Sequence, residues 1–229
     1  MNAHRFTHTA RWMIALVFAA GSAAALAQSD PQRLVDAADS SFLKFMRDPD
    51  MSWLQDNIGR ARGVLIAPEV AKAGFIFGGS GGRAVLVVRD PKTRKWQGPA
   101  FYTLATASVG FQAGISVSEV LTLVMTEKAL NALLSTSVKL GPDVSIAAGP
   151  VGAGAKADVI TDMVSYARSK GIYGGLNLEG TVVAISNDWN ETYYNKKPLT
   201  AVDILVRGGV RTKGADKLLA DVSRAATKK

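Results

Sequence analysis

The chain lacks cysteine altogether and has very little histidine. Of its 229 residues none is Cys and two are His, both near the start at His4 and His8. The missing thiols exclude disulfides, cysteine nucleophiles and cysteine-bound zinc. A Ser-His-Asp triad or an imidazole metal site would have to use one of those two N-terminal histidines.

Both histidines lie in a segment with the pattern of a secretory signal peptide. Arg5 and Arg11 give a basic start, residues 13–20 are apolar, and Ala25-Leu26-Ala27 forms a small-x-small cleavage site. The alternative to a cleaved signal peptide is a retained membrane anchor, but the apolar stretch is shorter than the roughly 20 residues of a spanning helix. We therefore expect removal of residues 1–27 and export to a bacterial periplasm, which leaves a chain without His or Cys.

The remaining chain is moderately basic. Loss of the two leader arginines lowers the formal net charge from +8 to +6. This balance is compatible with anionic partners without identifying one. Because export argues against nucleic acid, anionic phospholipid or a membrane surface is the expected partner. The length of residues 28–229 is typical of a single domain.

Hydrophobic periodicity predicts helices at both ends of this domain and a β-rich middle. Apolar residues recur at helical spacing over 31–46, 51–58 and 215–226, and Thr126 is a candidate N-cap for a helix over 127–134. Between them lie apolar, β-branched runs punctuated by Gly and Pro. The prediction is an α+β fold: a strongly bent antiparallel sheet or partial barrel of Gly-rich hairpins, with flanking helices.

The stretch Gly78-Gly79-Ser80-Gly81-Gly82 matches three different motifs. It fits a G-x-S-x-G nucleophile elbow, a glycine-rich phosphate cradle or a hairpin turn. The elbow has no histidine base, and the β-branched run after Arg83 predicts a strand where a cradle needs a helix. We therefore predict that Gly78–Gly82 is the turn of a hairpin.

Two other glycine-containing patterns also favour hairpins over a nucleotide-binding site. Residues 72–88 and 170–184 share a lysine, an aromatic-bearing strand, a small-residue stretch and a second apolar strand, which predicts two similar hairpins. A GxGxxA run at Gly152–Ala157 is followed by a basic, hairpin-like region. It therefore lacks the parallel strand and acidic residue of a dinucleotide site.

The order of several motifs resembles one known family. The blocks "WQGPAFYTLATASVGFQAG", "KLGPDVSIAAGPVGAGA" and "SYARSKGIYGGLNLEGTVV", with the region before them, are similar to successive segments of SYLF-domain proteins from about residue 61 to 205. The resemblance implies non-enzymatic lipid binding. Phosphoinositide recognition is described for eukaryotic members and actin association for some fungal ones. The basic N-terminal segment of eukaryotic members has no clear counterpart here, and the usual Tyr-Gly after an Asn-containing loop is replaced by Asn190–Asn195.

The candidate lipid-binding residues are the basic side chains near the first hairpin and one tryptophan. The set consists of Arg62, Lys72, Arg83, Arg89, Lys92, Arg94, Lys95 and Trp96. Arg60 is a further basic residue in the same region of the sequence. A cationic cluster with an indole suits an anionic membrane interface. The other interpretation is a solvated hairpin loop with Trp96 packed on the core. The two terminal helices likewise either cover the sheet or lie in an interface.

These observations favour non-enzymatic binding of phospholipid or another amphiphile in the cell envelope. The acidic residues of the mature chain show no paired spacing for acid–base catalysis, and we expect neither metal nor cofactor. The competing hypothesis is a structural or interaction protein of the envelope that binds a protein or cell-wall partner.

Overall fold

The computed structural model describes most of the chain after the expected leader. The described residues are 30–74, 77–109, 114–154, 159–169, 172–175 and 178–227. The expected signal peptide, residues 1–27, and the second half of the GxGxxA run lie outside them.

The helices of the described residues fall at both ends of the chain and at one point between strands. Their bounds are α1 Asp30–Arg47, α2 Ser52–Asn57, α3 Glu127–Leu133, α4 Asn187–Tyr194, α5 Ala201–Leu205 and α6 Asp216–Thr227. Short 3₁₀ turns at Pro49–Met51 and Ile58–Arg60 flank α2. The helices expected over 31–46, 51–58, 127–134 and 215–226 are confirmed, including the N-cap, whose Thr126 side chain accepts from the Ala129 N–H.

Nine strands of the described residues form one curled sheet. They are β1 Gly63–Gly74, β2 Phe77–Arg89, β3 Trp96–Val109, β4 Gly114–Val124, β5 Ser137–Lys139, β6 Ile146–Ala148, β7 Met163–Ser169, β8 Ile172–Gly175 and β9 Val182–Ile185. The order is β5-β9-β3-β2-β1-β4-β7-β6, and β8 pairs with β7. The predicted α+β fold with a strongly bent sheet is confirmed. One detail differs, because β6 and β7 pair in parallel whereas the other pairs are antiparallel.

The sheet is covered on both faces, and the residues that the structure describes form two hydrophobic cores. Along β1, Val64 and Ile66 contact one core while Leu65 and Ala67 contact the other, the alternation expected of a strand. The first core includes buried residues of α1, α2 and α6, and the second includes those of α3 and α5. The end of β1–β4 that contains Val64, Val88, Ala100 and Val124 is buried on both faces, and we call it the covered end of the sheet.

The terminal helices cover the sheet rather than presenting an apolar face to solvent. Phe42 and Phe45 of α1 are fully buried, as are Leu218 and Val222 of α6, all in the same core. No helix in the described part of the chain is long and apolar enough to cross a membrane. Of the two interpretations of these helices, the structure supports sheet packing.

The glycine run Gly78–Gly82 is not a turn, so that prediction is wrong. It lies inside β2 and pairs with β1 on one side and β3 on the other. The glycines permit close approach instead: a Cβ on Gly82 would lie 2.3 Å from the Glu69 carbonyl oxygen, where the β1–β2 register shifts. Ser80 pairs with Lys72 and Thr106 in a regular ladder, so no nucleophile elbow exists here.

The second predicted hairpin is also wrong in its pairing. β8 pairs with β7, whereas β9 lies between β3 and β5. The segment Asn190–Asn195 falls largely within α4, and Asn195 ends that helix in the left-handed conformation with φ 48°. The partner of a short strand is set by segments far away in the chain, so local similarity between two segments does not predict which strands pair.

Candidate functional site

Two of the predicted basic residues meet at the covered end of the sheet. Arg62 immediately precedes β1 and Arg89 ends β2, so the antiparallel pairing of these strands brings them side by side. The Arg89 N–H donates to the Arg62 carbonyl at 2.8 Å, and the Arg62 N–H donates to the Val124 carbonyl at 2.7 Å. The backbones of both arginines are therefore fixed by the sheet.

The β2–β3 turn, residues 90–95, adds a third arginine. The Asp90 carboxylate accepts from the N–H groups of Lys92 at 2.9 Å and Thr93 at 2.6 Å, and from Gln97 Nε2 at 3.1 Å. Led by the bond from Thr93, these hydrogen bonds hold the pKa of Asp90 below its usual value. The Arg94 N–H donates to the Asp90 carbonyl at 2.9 Å, and Arg94 takes φ 61°. The Asp90 carboxylate thus stabilises the turn, and the Asp90 carbonyl fixes the backbone of Arg94.

These residues surround a cavity of about 280 Å³. The cavity is lined by Gly59, Arg60, Ala61, Arg62, Arg89, Asp90, Pro91 and Arg94. Arg60 comes from the 3₁₀ turn that precedes β1. Four arginines and a single acidic residue thus line the space, which we call the arginine cavity.

The arginines of the arginine cavity are held by weak or neutral partners. Arg89 Nη1 donates to the Gly59 carbonyl at 2.8 Å, and Arg60 Nη1 donates to Asn57 Oδ1 at 2.9 Å. Arg62 Nε lies 3.3 Å from Glu127 Oε1, with both side chains largely exposed. Burial, followed by the charge of Arg94, lowers the pKa of Arg89. The positive charge of the cavity is therefore only partly neutralised.

The remaining residues of the predicted set fall in three different places. Lys92 and Lys95 are exposed in the β2–β3 turn beside the cavity, whereas Trp96 is only 8% exposed and belongs to the core beneath the turn. Lys72 and Arg83 lie far along β1 and β2. Lys72 is ten residues from Arg62, about 33 Å at roughly 3.3 Å per residue. The structure therefore gathers the set around the turn and leaves these two apart.

Arg83 has a local partner that the sequence did not indicate. Its guanidinium lies 4.0 Å from the ring centroid of Trp189 on α4, and its Nη1 donates to Ser186 Oγ at 3.5 Å. A cation over an indole face is a stabilising arrangement in its own right. The contacts of Gly59, Glu127 and Trp189 were all missed, because each comes from an element far away in the chain. Lipid binding by the predicted residues stays a prediction.

The structure is thus that of an α+β protein whose curled sheet is packed on both faces and carries the arginine cavity at one end. The family model described as "Ysc84: Las17-binding protein actin regulator" matches residues 105–225, more than half of the chain. The chain belongs to this family, which confirms the resemblance to SYLF-domain proteins.

Three curated relatives show the extent of the similarity. SH3 domain-containing YSC84-like protein 1 of Xenopus laevis is 29% identical over 153 residues, covering 65% of this chain and 45% of that protein. The human protein of the same name is 30% identical over 166 residues, covering 70% and 48%. LAS seventeen-binding protein 3 of Saccharomyces cerevisiae is 31% identical over 146 residues, covering 61% and 31%. The chain thus spans less than half the length of these relatives.

Proposed function

We propose that the protein binds anionic phospholipid at a membrane surface, without catalysis, through the basic end of the sheet. We define the basic end as the arginine cavity together with Lys92 and Lys95. The observation that carries the proposal is the gathering of six cations around one turn whose only acid, Asp90, is engaged by turn N–H groups. Each Lys or Arg near an anionic membrane contributes about 1 kcal/mol.

The burial of apolar groups supports an electrostatic mode of binding. Trp96 lies in the core, and the apolar faces of α1 and α6 are packed on the sheet. Binding through these groups would require them to leave the core. We infer a peripheral contact that weakens with salt, because the Debye length falls from about 10 Å at 0.1 M to about 3 Å at 1 M. With the expected leader, we infer that this contact takes place in the envelope, on the exported side of a bacterial membrane.

Co-sedimentation with vesicles tests this function. We expect the purified protein to pellet with phosphatidylglycerol-containing vesicles at low salt, and to remain in solution at high salt or with neutral vesicles. Replacing both turn lysines (Lys92→Gln with Lys95→Gln) reduces pelleting at least several-fold. The matched control, Lys139→Gln with Lys196→Gln, removes the same charge from exposed positions outside the basic end. Equal losses in the two double variants, or no pelleting with anionic vesicles, would contradict the proposal.

The competing function is binding of a protein partner. It is favoured by the description of the matched family as Las17-binding and by the name of the yeast relative. A groove of about 660 Å³ on the other side of the β2–β3 turn offers a surface for it, with Trp96, Ile204 and Leu219 in its lining. Absence of vesicle binding under all conditions would favour protein binding over lipid binding as the function.

A further inference from the structure

We propose that the arginine cavity binds one phosphate group in its doubly charged form, either as inorganic phosphate or as the terminal phosphate of a lipid headgroup. The lipid form deepens the proposed function and rests on it, whereas the inorganic form does not. The first argument is charge: four arginines line a space whose single acidic residue, Asp90, has its carboxylate hydrogen-bonded within the turn.

The donors left over are of the kind that phosphate requires. A guanidinium has five N–H donors in a planar fork that matches phosphate oxygens in pairs. Arg89 uses part of its fork on the carbonyls of Gly59 and Arg94, at 2.8 and 3.3 Å, which fixes its position and leaves donors available. The Arg94 side chain makes no hydrogen bond or ion pair that the structure records among the described residues. Arg94 is thus the arginine of the cavity with its whole fork available.

The counter-charge of Glu127 is easily exchanged. Its pair with Arg62 is 3.3 Å long, and the two side chains are 55% and 41% exposed. Exposed pairs of this kind contribute about 0–1 kcal/mol, so a phosphate can take the place of the carboxylate at little cost. The backbone of Arg62 stays fixed by β2 and β4 when this happens.

The size of the cavity limits the ligand to a small anion or a headgroup. Sites for drug-sized molecules span about 300–1,000 Å³, and this one is about 280 Å³. Arginines make up half of its lining residues, so acyl chains find little apolar surface there. A lipid held at this site would keep its chains in the bilayer, as the peripheral mode requires. A phosphate monoester, with up to two charges and three terminal oxygens, suits four arginines better than a singly charged diester.

Titration of the full chain with inorganic phosphate at constant ionic strength tests the site. We expect saturable one-to-one binding by calorimetry and a rise in the unfolding temperature with phosphate. Arg94→Asn should weaken binding by about tenfold or more, because one charge-assisted contact is lost. Asn tolerates positive φ, so this variant should keep the turn. The control Lys139→Gln removes the same charge from an exposed position outside the basic end and should change the affinity less than twofold.

A second arm separates the two sources of phosphate. Vesicles containing phosphatidic acid are compared with phosphatidylglycerol vesicles adjusted to equal surface charge. Preference for phosphatidic acid that Arg94→Asn abolishes assigns the site to a headgroup, and phosphate binding without that preference assigns it to free phosphate. The site would be overturned if phosphate showed no saturable binding and the two variants affected vesicle binding equally. The proposed function would still stand in that case if pelleting with anionic vesicles remained salt-sensitive. Phosphate binding without any pelleting would support the site and contradict the proposed function.

Discussion

At the scale of single residues, one family motif has a plain packing explanation. Gly149 lies in the "AAGPVG" block and Tyr166 in the "SYARS" block, and the two meet in the core. A Cβ on Gly149 would lie 2.0 Å from Cζ of Tyr166, whose side chain is fully buried. The two blocks are therefore linked by a contact that only glycine permits.

Gly149→Ala should lower the stability of the protein by about 3 kcal/mol or more, because neither a buried ring nor the backbone can yield 1.5 Å without repacking. Urea unfolding measures the change. Gly209→Ala is the control, since its Cβ would meet only the Asp203 carbonyl oxygen at 3.6 Å and the position is exposed. The packing argument fails if the two alanine variants are equally stable.

At the scale of elements, a hydrogen-bonded carboxylate joins α3 to the parallel strand pair. The Asp162 carboxylate accepts from Thr126 Oγ1 at 2.7 Å, from Ser145 Oγ at 2.8 Å and N–H at 3.1 Å, and lies 3.2 Å from Lys128 Nζ. Burial by itself would raise the pKa of Asp162, but the hydrogen bonds from Thr126 and Ser145 outweigh it and hold the pKa to about 2. The N-cap residue of α3 is thereby tied to the chain before β6 and β7.

This pKa makes stability depend on pH in a defined direction. The folded pKa is below the unfolded one, so the contribution is present above about pH 4 and is lost as the pH falls towards 2. Asp162→Asn should therefore cost about 1–2 kcal/mol at pH 7 and close to nothing at pH 2. Urea unfolding at both values tests this, with exposed Asp56→Asn as the control. A loss that is the same at both pH values would show that the carboxylate charge is not involved.

Elements were predictable from the sequence where local pattern and fold agree. The long amphipathic repeat of α1 and the Thr126 cap of α3 sufficed for those helices. The five-residue α5 was missed although Thr200 and Asp203 form a capping box, because so short a segment has no periodicity to read. Gly78–Gly82 has strong turn propensity, and only its pairing with two neighbouring strands keeps it extended.

The candidate site was predictable in part for the same reason. Arg62 and Arg89 could be joined because a hairpin pairs its two ends. The length of that hairpin was not visible without knowing where the turn lies. Lys72 and Arg83 were therefore grouped with them, although Lys72 lies about 33 Å from Arg62 and Arg83 about 20 Å from Arg89 along their strands. The approach of the 3₁₀ turn at Ile58–Arg60 depends on its packing beside α6, which no local signal reports.

At the scale of the whole molecule, the long strands separate two chemically different ends. The arginine cavity, Lys92 and Lys95, which together form the basic end, lie at the covered end of the strands. Exposed Thr93 lies there too, in the β2–β3 turn. The opposite end of the four long strands is rich in Gly, Ser and Ala, with exposed Ala73 near the end of β1. Residues 63 and 73 are about 33 Å apart along the strand, so the two ends cannot both lie at the headgroups of one surface. A surface-bound molecule can therefore present one end or the other to the lipid, and the proposed function requires the basic end.

Because the chain has no cysteine, single-cysteine variants can report this orientation without background labelling. We expect a fluorophore on Thr93→Cys to be shielded from an aqueous collisional quencher when anionic vesicles are added, and to lose this shielding at high salt. The same fluorophore on Ala73→Cys should stay accessible throughout, since the strand holds it far from the headgroups. Both positions are exposed in the free protein, so they start from comparable quenching. Shielding at Ala73 without shielding at Thr93 would mean that the Gly-rich end meets the membrane. The arginine cavity would then face away from the lipid, where its phosphate could come only from solution.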